Sequence, residues 1–461
     1  LVGRERRDPL RTREPTMSTP MSNDNALYRT THGGTVLVFD VPPGFEFGID
    51  CTIFSVGEKF AGVKMIPPGL HLVLLGAPGN DVTRVAEFVM VNTSDVVVRK
   101  WDPTTETFAV GSGYDAEQTE RLAIGARQHD FDSSTGPYPT ESLEIWTRLT
   151  SHINENVLSS CGVPLGTRVA PGDPDQPLEA HTRLPETTEA ARRRARNVSA
   201  ENSSTNTSDI PVAPSFGDSV SRAPLGVSPE TITKLGFDPE ARLKRAVDES
   251  HAGDWSAFLG ANQTAFVLFL LLGSEPALMF WKTSTALLCD ASSSCTTKER
   301  LELYSQFTAS LAAQLDRATE TLFSDEDLED MFLRKALVAL CGGLKQALGE
   351  GLGAATNPSS SESIPPKLKQ EVTRRRILLE KWTVAKFGVD VAAEYEGKRE
   401  RTEGHEKTEN FPFGKHDEDA PVVVELPEGT FMRMEGGEDV GEDVSMDNQS
   451  SETTRMGWMV Q

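Results

Sequence analysis

The N-terminal part of this chain is a series of short apolar segments separated by proline- and glycine-rich turns. The turns include Pro42-Pro43-Gly44, and the apolar segments cover residues 35–39, 70–75, 84–91, 96–101 and 106–110. Segments of this length, joined by residues that supply fixed or positive φ, are typical of β-strands in a small antiparallel sandwich or barrel. No helix-length segment separates them, so the pattern argues against a parallel sheet with helical crossovers.

Helical periodicity replaces the β pattern further along the chain. Residues 115–128 and 141–158 predict a helical hairpin, with Thr140 as the cap of its second helix. Asp238-Pro239-Glu240 has the cap, the early proline and the acid of a helix start. Later helices are expected at residues 255–272, 275–289, 298–315, 325–348 and 367–387. The apolar run 265–272 is too short for a membrane span of about 20 residues, so it predicts a buried helix.

The predicted fold class is α+β multidomain: an N-terminal β-sandwich or barrel-like domain followed by an all-α helical domain, with a disordered linker and an acidic tail. Large apolar residues are scarce between residues 162 and 224, so that stretch cannot offset its ordering entropy. The expected regions are a disordered basic extension (1–28), the β-rich domain with its helical hairpin (29–161), a low-complexity linker or insertion (162–224), the all-α domain (225–392) and the acidic disordered tail (393–461).

Charge and cysteine content exclude several classes of protein. The chain has 46 Lys and Arg against 69 Asp and Glu, a net charge of -23, which disfavours direct binding to nucleic acid. Its five cysteines are scattered and show no Cys-x-x-Cys spacing, which favours free thiols in a reducing compartment over disulfides or zinc. No signal peptide or membrane span is recognised in the sequence. We therefore expect a protein of the cytoplasm and nucleus, with no cofactor and no metal.

Catalytic motifs are missing from the sequence. It contains no phosphate-binding loop, dinucleotide fingerprint, nucleophile elbow or zinc-protease pattern. His71 is the one histidine inside a predicted strand, and there a hydrogen-bonded structural role is commoner than a role as a base. A hydrolase site built from His71, Asp40 and Asp50 is kept as an alternative. The expectation is a protein that is not an enzyme.

The acidic tail contains one apolar island. Three valines between carboxylates are a costly exposure for a segment that only maintains solubility, and such a segment can add as a strand to the sheet edge of a partner. A proline at its start loses no needed hydrogen bond. The predicted partner-binding residues are Pro421, Val422, Val423, Val424, Glu425 and Leu426.

The residues from 41 to 71 carry a pattern that resembles the signature of the A1-cistron splicing factor family. Blocks at residues 136–146, 263–289 and 420–429 are similar to the same family and follow in the same order. The signature residues are Glu46, Phe47, Gly48, Ile49, Asp50, Gly62, Lys64, Pro67, Pro68, Gly69 and His71.

This resemblance implies a function in pre-mRNA splicing. Members of the family are assembly chaperones of the U5 small nuclear ribonucleoprotein. They bind the large U5 scaffold protein through its RNase H-like and MPN-like domains, before the spliceosomal helicase replaces them. The expected partners are that scaffold and other U5 components, with no membrane and no small-molecule substrate. A membrane-traffic adaptor built on the helical domain is the other alternative, because a helical fold alone does not choose a function.

Overall fold

A β-sandwich formed by residues 34–169 packs against helices that follow residue 238. The computed structural model describes residues 23–79, 83–172, 211–216, 235, 238–318 and 332–349, and residues 365–395 apart from 389 and 392. All of them belong to the unit Leu1–Glu396.

Two five-stranded sheets make up the sandwich. The first has the order β8-β7-β1-β4-β9, and the second has the order β10-β6-β5-β2-β3. The strands are β1 (Gly34–Phe39), β2 (Glu46–Ile49), β3 (Thr52–Ser55), β4 (Gly62–Ile66), β5 (Gly69–Gly76), β6 (Val85–Val91), β7 (Val96–Asp102), β8 (Thr107–Phe108), β9 (Thr135–Pro137) and β10 (Arg168–Val169).

The second sheet is buried on both faces. Val73 and Leu75 of β5 face the core between the two sheets, whereas Leu72 and Leu74 join a second core shared with the helices. Because successive side chains of a strand point to opposite faces, a strand buried on both sides has an almost continuous apolar sequence, as β5 has. The sheet is thus the middle layer between the first sheet and the helices.

The described residues also form helices, which pack around the two sheets. They are α1 (Asn23–His32), α2 (Ala116–Arg127), α3 (Thr140–Leu149), α4 (Glu155–Ser160), α5 (Pro239–His251), α6 (Trp255–Leu272), α7 (Glu275–Asp290), α8 (Lys298–Arg317), α9 (Phe332–Ala347) and α10 (Pro366–Phe387), with a 3₁₀ turn at Ala291–Ser294. The first turn of α5 is capped by Asp238 and that of α6 by Asp254, and α6 ends at Gly273 in the left-handed conformation.

Helix α6 has the length and composition of a membrane span. However, 72% of it is buried inside the fold, so its apolar surface on all sides is explained by neighbouring helices. The prediction that this run forms a buried helix is confirmed.

The predicted fold class is confirmed, with one correction to the sheets. β1 pairs parallel with β7, and β4 pairs parallel with β9, so the sandwich is mixed and not purely antiparallel. The chain between β1 and β7 runs through four strands of the second sheet and through β4. This excursion supplies the crossover for which the sequence argument required a helix.

Three further local predictions are corrected. β2, β3 and β4 were not predicted as strands. The predicted helix at 141–158 is two helices, because Asn154 accepts a hydrogen bond from the Val157 N–H and starts α4; Thr140 is the first residue of α3 and not its cap. The segment predicted as a linker from residue 162 begins too early, since Val163 and Val169 are fully buried and Val212 bridges to Val169. The other domain limits stay predictions.

Candidate functional site

A buried hydrogen-bond network connects two of the signature residues, Asp50 and His71. Asp50 follows β2 with a left-handed backbone (φ 52°). Its Oδ2 accepts hydrogen bonds from His71 Nδ1 at 2.8 Å and from the Tyr138 hydroxyl at 2.5 Å. Its Oδ1 accepts from the Leu72 N–H at 3.0 Å. One carboxylate therefore ties β2 to β5 and to the segment that follows β9.

The contacts of His71 favour its protonated form. Its Nε2 lies 2.7 Å from the carbonyl oxygen of Pro67, which can only accept, so Nε2 is a donor, and a proton on Nδ1 is stabilised by the Asp50 carboxylate. Burial lowers the pKa of His71, but the hydrogen bond and charge of Asp50, together with the Pro67 carbonyl, more than reverse this and leave the pKa raised. Burial and the charge of Asp50 also raise the pKa of Tyr138.

The network is structural and has no catalytic geometry. His71 and Asp50 are 2% and 0% exposed, and both imidazole nitrogens are occupied. Asp40, the third residue of the hydrolase alternative, is an exposed residue whose carboxylate lies 3.5 Å from the amine of Lys100. A base must reach a substrate proton, and His71 cannot. The structure therefore gives the hydrolase alternative no support.

The thiols of the chain are enclosed as well. All five cysteines are buried, and burial raises the pKa of Cys51 and of Cys161 to about 12. Among the same residues, no cluster of three or more His, Cys, Asp or Glu could hold a metal ion.

The remaining signature residues shape the sandwich. Phe47 and Ile49 lie in the core between the sheets, and Lys64 pairs with Asp132 at 2.9 Å. Pro67 and Pro68 form the turn between β4 and β5. Gly48 and Gly69 lie in β2 and β5. Gly62 has φ 140°, and a Cβ there would meet the Val36 carbonyl oxygen at 2.0 Å, so β4 approaches β1 this closely only with glycine at that position.

Glu46 belongs to a second buried ion pair, which reaches the helical layer. Its Oε2 accepts hydrogen bonds from Arg84 Nη2 at 2.9 Å and from Arg84 Nε at 3.3 Å. Arg84 Nη1 donates to the carbonyl oxygen of Leu271 at 3.4 Å, in the last turn of α6. A cation is favoured at that end of a helix, so Arg84 joins the second sheet to α6.

Buried amide side chains of α6 form a third hydrogen-bond network. Gln263 is fully buried; its Oε1 accepts from the His152 N–H at 2.8 Å, and its Nε2 donates to Ser151 and Ser310 at 3.0 Å each. This side chain connects the loop after α3 with α8. The neighbouring Asn262 accepts from Gln314, which in turn accepts from the indole of Trp281.

Sequence reasoning placed Gln263 and Trp281 in a family-like block but did not predict their contacts. A signal for Gln263 and Asn262 was present: amides inside an otherwise apolar helix need buried partners. Arg84 gave no such signal, because its partners lie in β2 and α6, far away along the chain. The predicted partner-binding residues 421–426 lie outside the described residues.

Comparison with known proteins identifies the family. A family model of the AAR2 N-terminal domain matches residues 32–163, and a model of the AAR2 C-terminal repeat region matches residues 218–392. Together these ranges cover well over half of the chain. This chain belongs to the AAR2 family. AAR2 is the A1-cistron splicing factor family that the sequence resembled, and the earlier identification is confirmed.

Curated relatives agree with the AAR2 assignment. Proteins named "Protein AAR2 homolog" are 26% identical over 430 residues in Macaca fascicularis, covering 87% of this chain and 95% of the relative. In Mus musculus the identity is 27% over 428 residues, covering 86% and 94%. In Caenorhabditis elegans it is 28% over 342 residues, covering 70% and 90%. AAR2 proteins are splicing-related factors, and the family name denotes no enzyme.

Proposed function

We propose that this protein is an assembly chaperone of the U5 small nuclear ribonucleoprotein and has no catalytic activity. It holds the large U5 scaffold protein, through that protein's RNase H-like and MPN-like domains, until the spliceosomal helicase takes its place. Membership of the AAR2 family over most of the chain carries this proposal. The proposed places of action are the cytoplasm, during assembly, and the nucleus.

The buried ties described above support a binding role. Asp50, Glu46 and Gln263 are all fully or almost fully buried and connect strands or helices to one another. These buried contacts restrict the relative motion of the sandwich and the helices in the free protein. A partner that binds both therefore causes a smaller loss of conformational entropy on binding. A preorganised scaffold therefore suits the proposed function better than an enzyme with an enclosed histidine.

The charge of the chain supports the choice of partner. A scaffold that later binds RNA presents basic surface before its RNA arrives, and a protein of net charge -23 is attracted to that surface. The same charge repels free RNA. We therefore propose direct contact with the scaffold and other U5 components, and none with nucleic acid, membranes or a small-molecule substrate.

The tail residues 421–426 are proposed to clamp the scaffold by adding a strand to one of its sheet edges. Val422 and Val424 then face one side of the added strand and Val423 the other. Two buried valines contribute about 3–5 kcal/mol and a few backbone hydrogen bonds about 1 kcal/mol each, whereas ordering six residues costs about 1–2 kcal/mol per residue, so the net gain is small. We therefore propose that the folded unit provides most of the affinity and that the tail slows dissociation of the complex.

Binding to a recombinant fragment of the scaffold that holds its RNase H-like and MPN-like domains tests the proposal. We expect a complex on size-exclusion chromatography, and a dissociation rate about tenfold faster for the Val422→Asp/Val424→Asp variant by surface plasmon resonance. Substituting Thr453 and Thr454 by Asp is the control for added tail charge. Absence of a complex with the unaltered chain would refute the partner. Equal dissociation rates for the valine variant and the unaltered chain would refute the clamp alone.

A further inference from the structure

The outer face of α10 combines exposed aliphatic side chains with basic ones. Ile377, Leu378 and Val384 are 38%, 52% and 49% exposed. Arg374 and Lys381 lie between them on the same side of the helix and are exposed. We call these five residues the α10 outer face.

The opposite side of α10 already has its packing partners. Val372, Leu379 and Thr383 are buried against the helical core, where α10 packs on α8 and α9. Arg375 donates to the carbonyl oxygen of Ser305 in α8, which fixes the rotation of the helix. The packing of the opposite side therefore turns the α10 outer face away from the core, and its aliphatic side chains do not belong to that buried contact.

The charge of α10 is opposite to that of the whole chain. The helix has seven Lys and Arg against two Glu, whereas the chain has a net charge of -23. Glu371 is engaged by Arg374 and Arg375, and Glu380 is engaged by Arg376. Within the described part of the chain, no ion pair is recorded for Lys381. The exposed surface of α10 is therefore basic.

We propose that the α10 outer face binds an acidic amphipathic helix of a partner protein. Ile377 and Val384 are seven positions apart, a rise of about 10 Å, which matches apolar residues at i and i+7 of a helix laid alongside. Carboxylates flanking those apolar residues would reach Arg374 and Lys381. This inference does not depend on the identity of the scaffold proposed above.

Two other occupants fit the face less well. Single-stranded RNA gains its affinity from stacking on aromatic side chains, and the exposed apolar residues here are aliphatic. A membrane surface needs a helix with one wide apolar face, and the wide apolar face of α10 is packed against α8 and α9. An amphipathic helix places its apolar residues against exposed aliphatic side chains, and its carboxylates can pair with the cations beside them.

Fluorescence anisotropy with the full chain tests the inference. The probe is a labelled synthetic helix of about three heptads, with leucine at the a and d positions and glutamate at e and g. A shuffled peptide of the same composition is the control probe. The test variants are Ile377→Asp/Val384→Asp and Arg374→Glu/Lys381→Glu. Their matched controls are Met279→Asp on α7, which is 51% exposed, and Arg121→Glu on α2, whose side chain is 67% exposed.

We expect the unaltered chain to bind the helical probe and not the shuffled one. Both test variants should weaken binding at least about tenfold, and both controls should stay within about twofold. Failure of the unaltered chain to bind, or equal binding by the test variants, would overturn the inference. Tighter binding of a poly(U) RNA or of phosphatidylserine vesicles, lost in the same variants, would also overturn it. So would a test variant whose melting temperature falls by many degrees, because the face would then be covered by the chain itself.

Discussion

The buried pair of Glu46 and Arg84 makes a strong prediction for stability. Replacing Arg84 with Met keeps most of the aliphatic volume but removes the guanidinium. Glu46, 5% exposed, then keeps the hydrogen bond that its carboxylate accepts from the Gly79 N–H at 3.4 Å. Breaking a buried ion pair from one side costs about 3–5 kcal/mol, because a buried charge is left without its partner. We expect Arg84→Met to lower the free energy of unfolding by that amount.

Replacing both partners measures the loss of the ion pair without leaving one buried charge unpaired. In Glu46→Met/Arg84→Met no buried charge remains, and such replacements are often close to neutral. The lost bond to the Leu271 carbonyl adds about 1 kcal/mol. We therefore expect the double variant to be destabilised by about 1–2 kcal/mol, less than Arg84→Met alone.

Urea unfolding followed by circular dichroism measures all the variants. Arg121→Met is the matched control, because Arg121 forms an exposed pair with Glu117 at 3.8 Å, and its loss should cost under about 0.5 kcal/mol. The single variant Glu46→Met completes the comparison. The reasoning is refuted if the loss of stability in Glu46→Met/Arg84→Met equals the sum of the losses in Glu46→Met and Arg84→Met, since the two side chains would then act independently.

Two further predictions concern signature residues. Because the pKa of His71 is raised in the folded state, the stability that this residue contributes is complete below its unfolded pKa of about 6.5 and is lost as the pH rises through the folded value. Urea unfolding of the unaltered chain and of His71→Gln should therefore differ more at pH 6 than at pH 9; a pH-independent difference would contradict a buried cation beside Asp50. Gly62→Ala should cost at least about 2 kcal/mol by the same assay, because of its positive φ and the Val36 carbonyl, whereas Gly136→Ala, where nothing lies within 4 Å, should cost under about 1 kcal/mol; equal costs would contradict the close approach of the strands.

Local signals explain where sequence reasoning succeeded. The limits of α6 were predicted as residues 255–272 and are found there. Asp254 caps the start of the helix and Gly273 ends it, both by contacts within a few residues. The start of α5 follows in the same way from Asp238 and the proline after it. Caps of this kind act whatever the rest of the fold does.

Non-local pairing explains most of what sequence reasoning missed. β2 and β4 contain glycine, glutamate and lysine, which weaken a strand pattern, and they form because β5 and β1 offer them partners. The parallel pairing of β1 with β7 joins segments about sixty residues apart, and no local pattern encodes it. Asp50 and Tyr138 are 88 residues apart along the chain, so in the sequence the members of the network are unconnected polar residues.

The middle position of the second sheet has a consequence for synthesis of the protein. Its strands up to β6 are synthesised once residue 91 is made, but the core that their outer face shares with the helices includes α6, which ends at residue 272. At a synthesis rate of about 5–20 residues per second, roughly 10–35 s pass before the core around Leu72, Leu74 and Phe88 can be completed. During that interval the nascent chain presents an aggregation-prone surface, and general chaperones that bind exposed apolar segments are expected to hold it. The protein proposed to protect another during assembly therefore needs protection while it is being made.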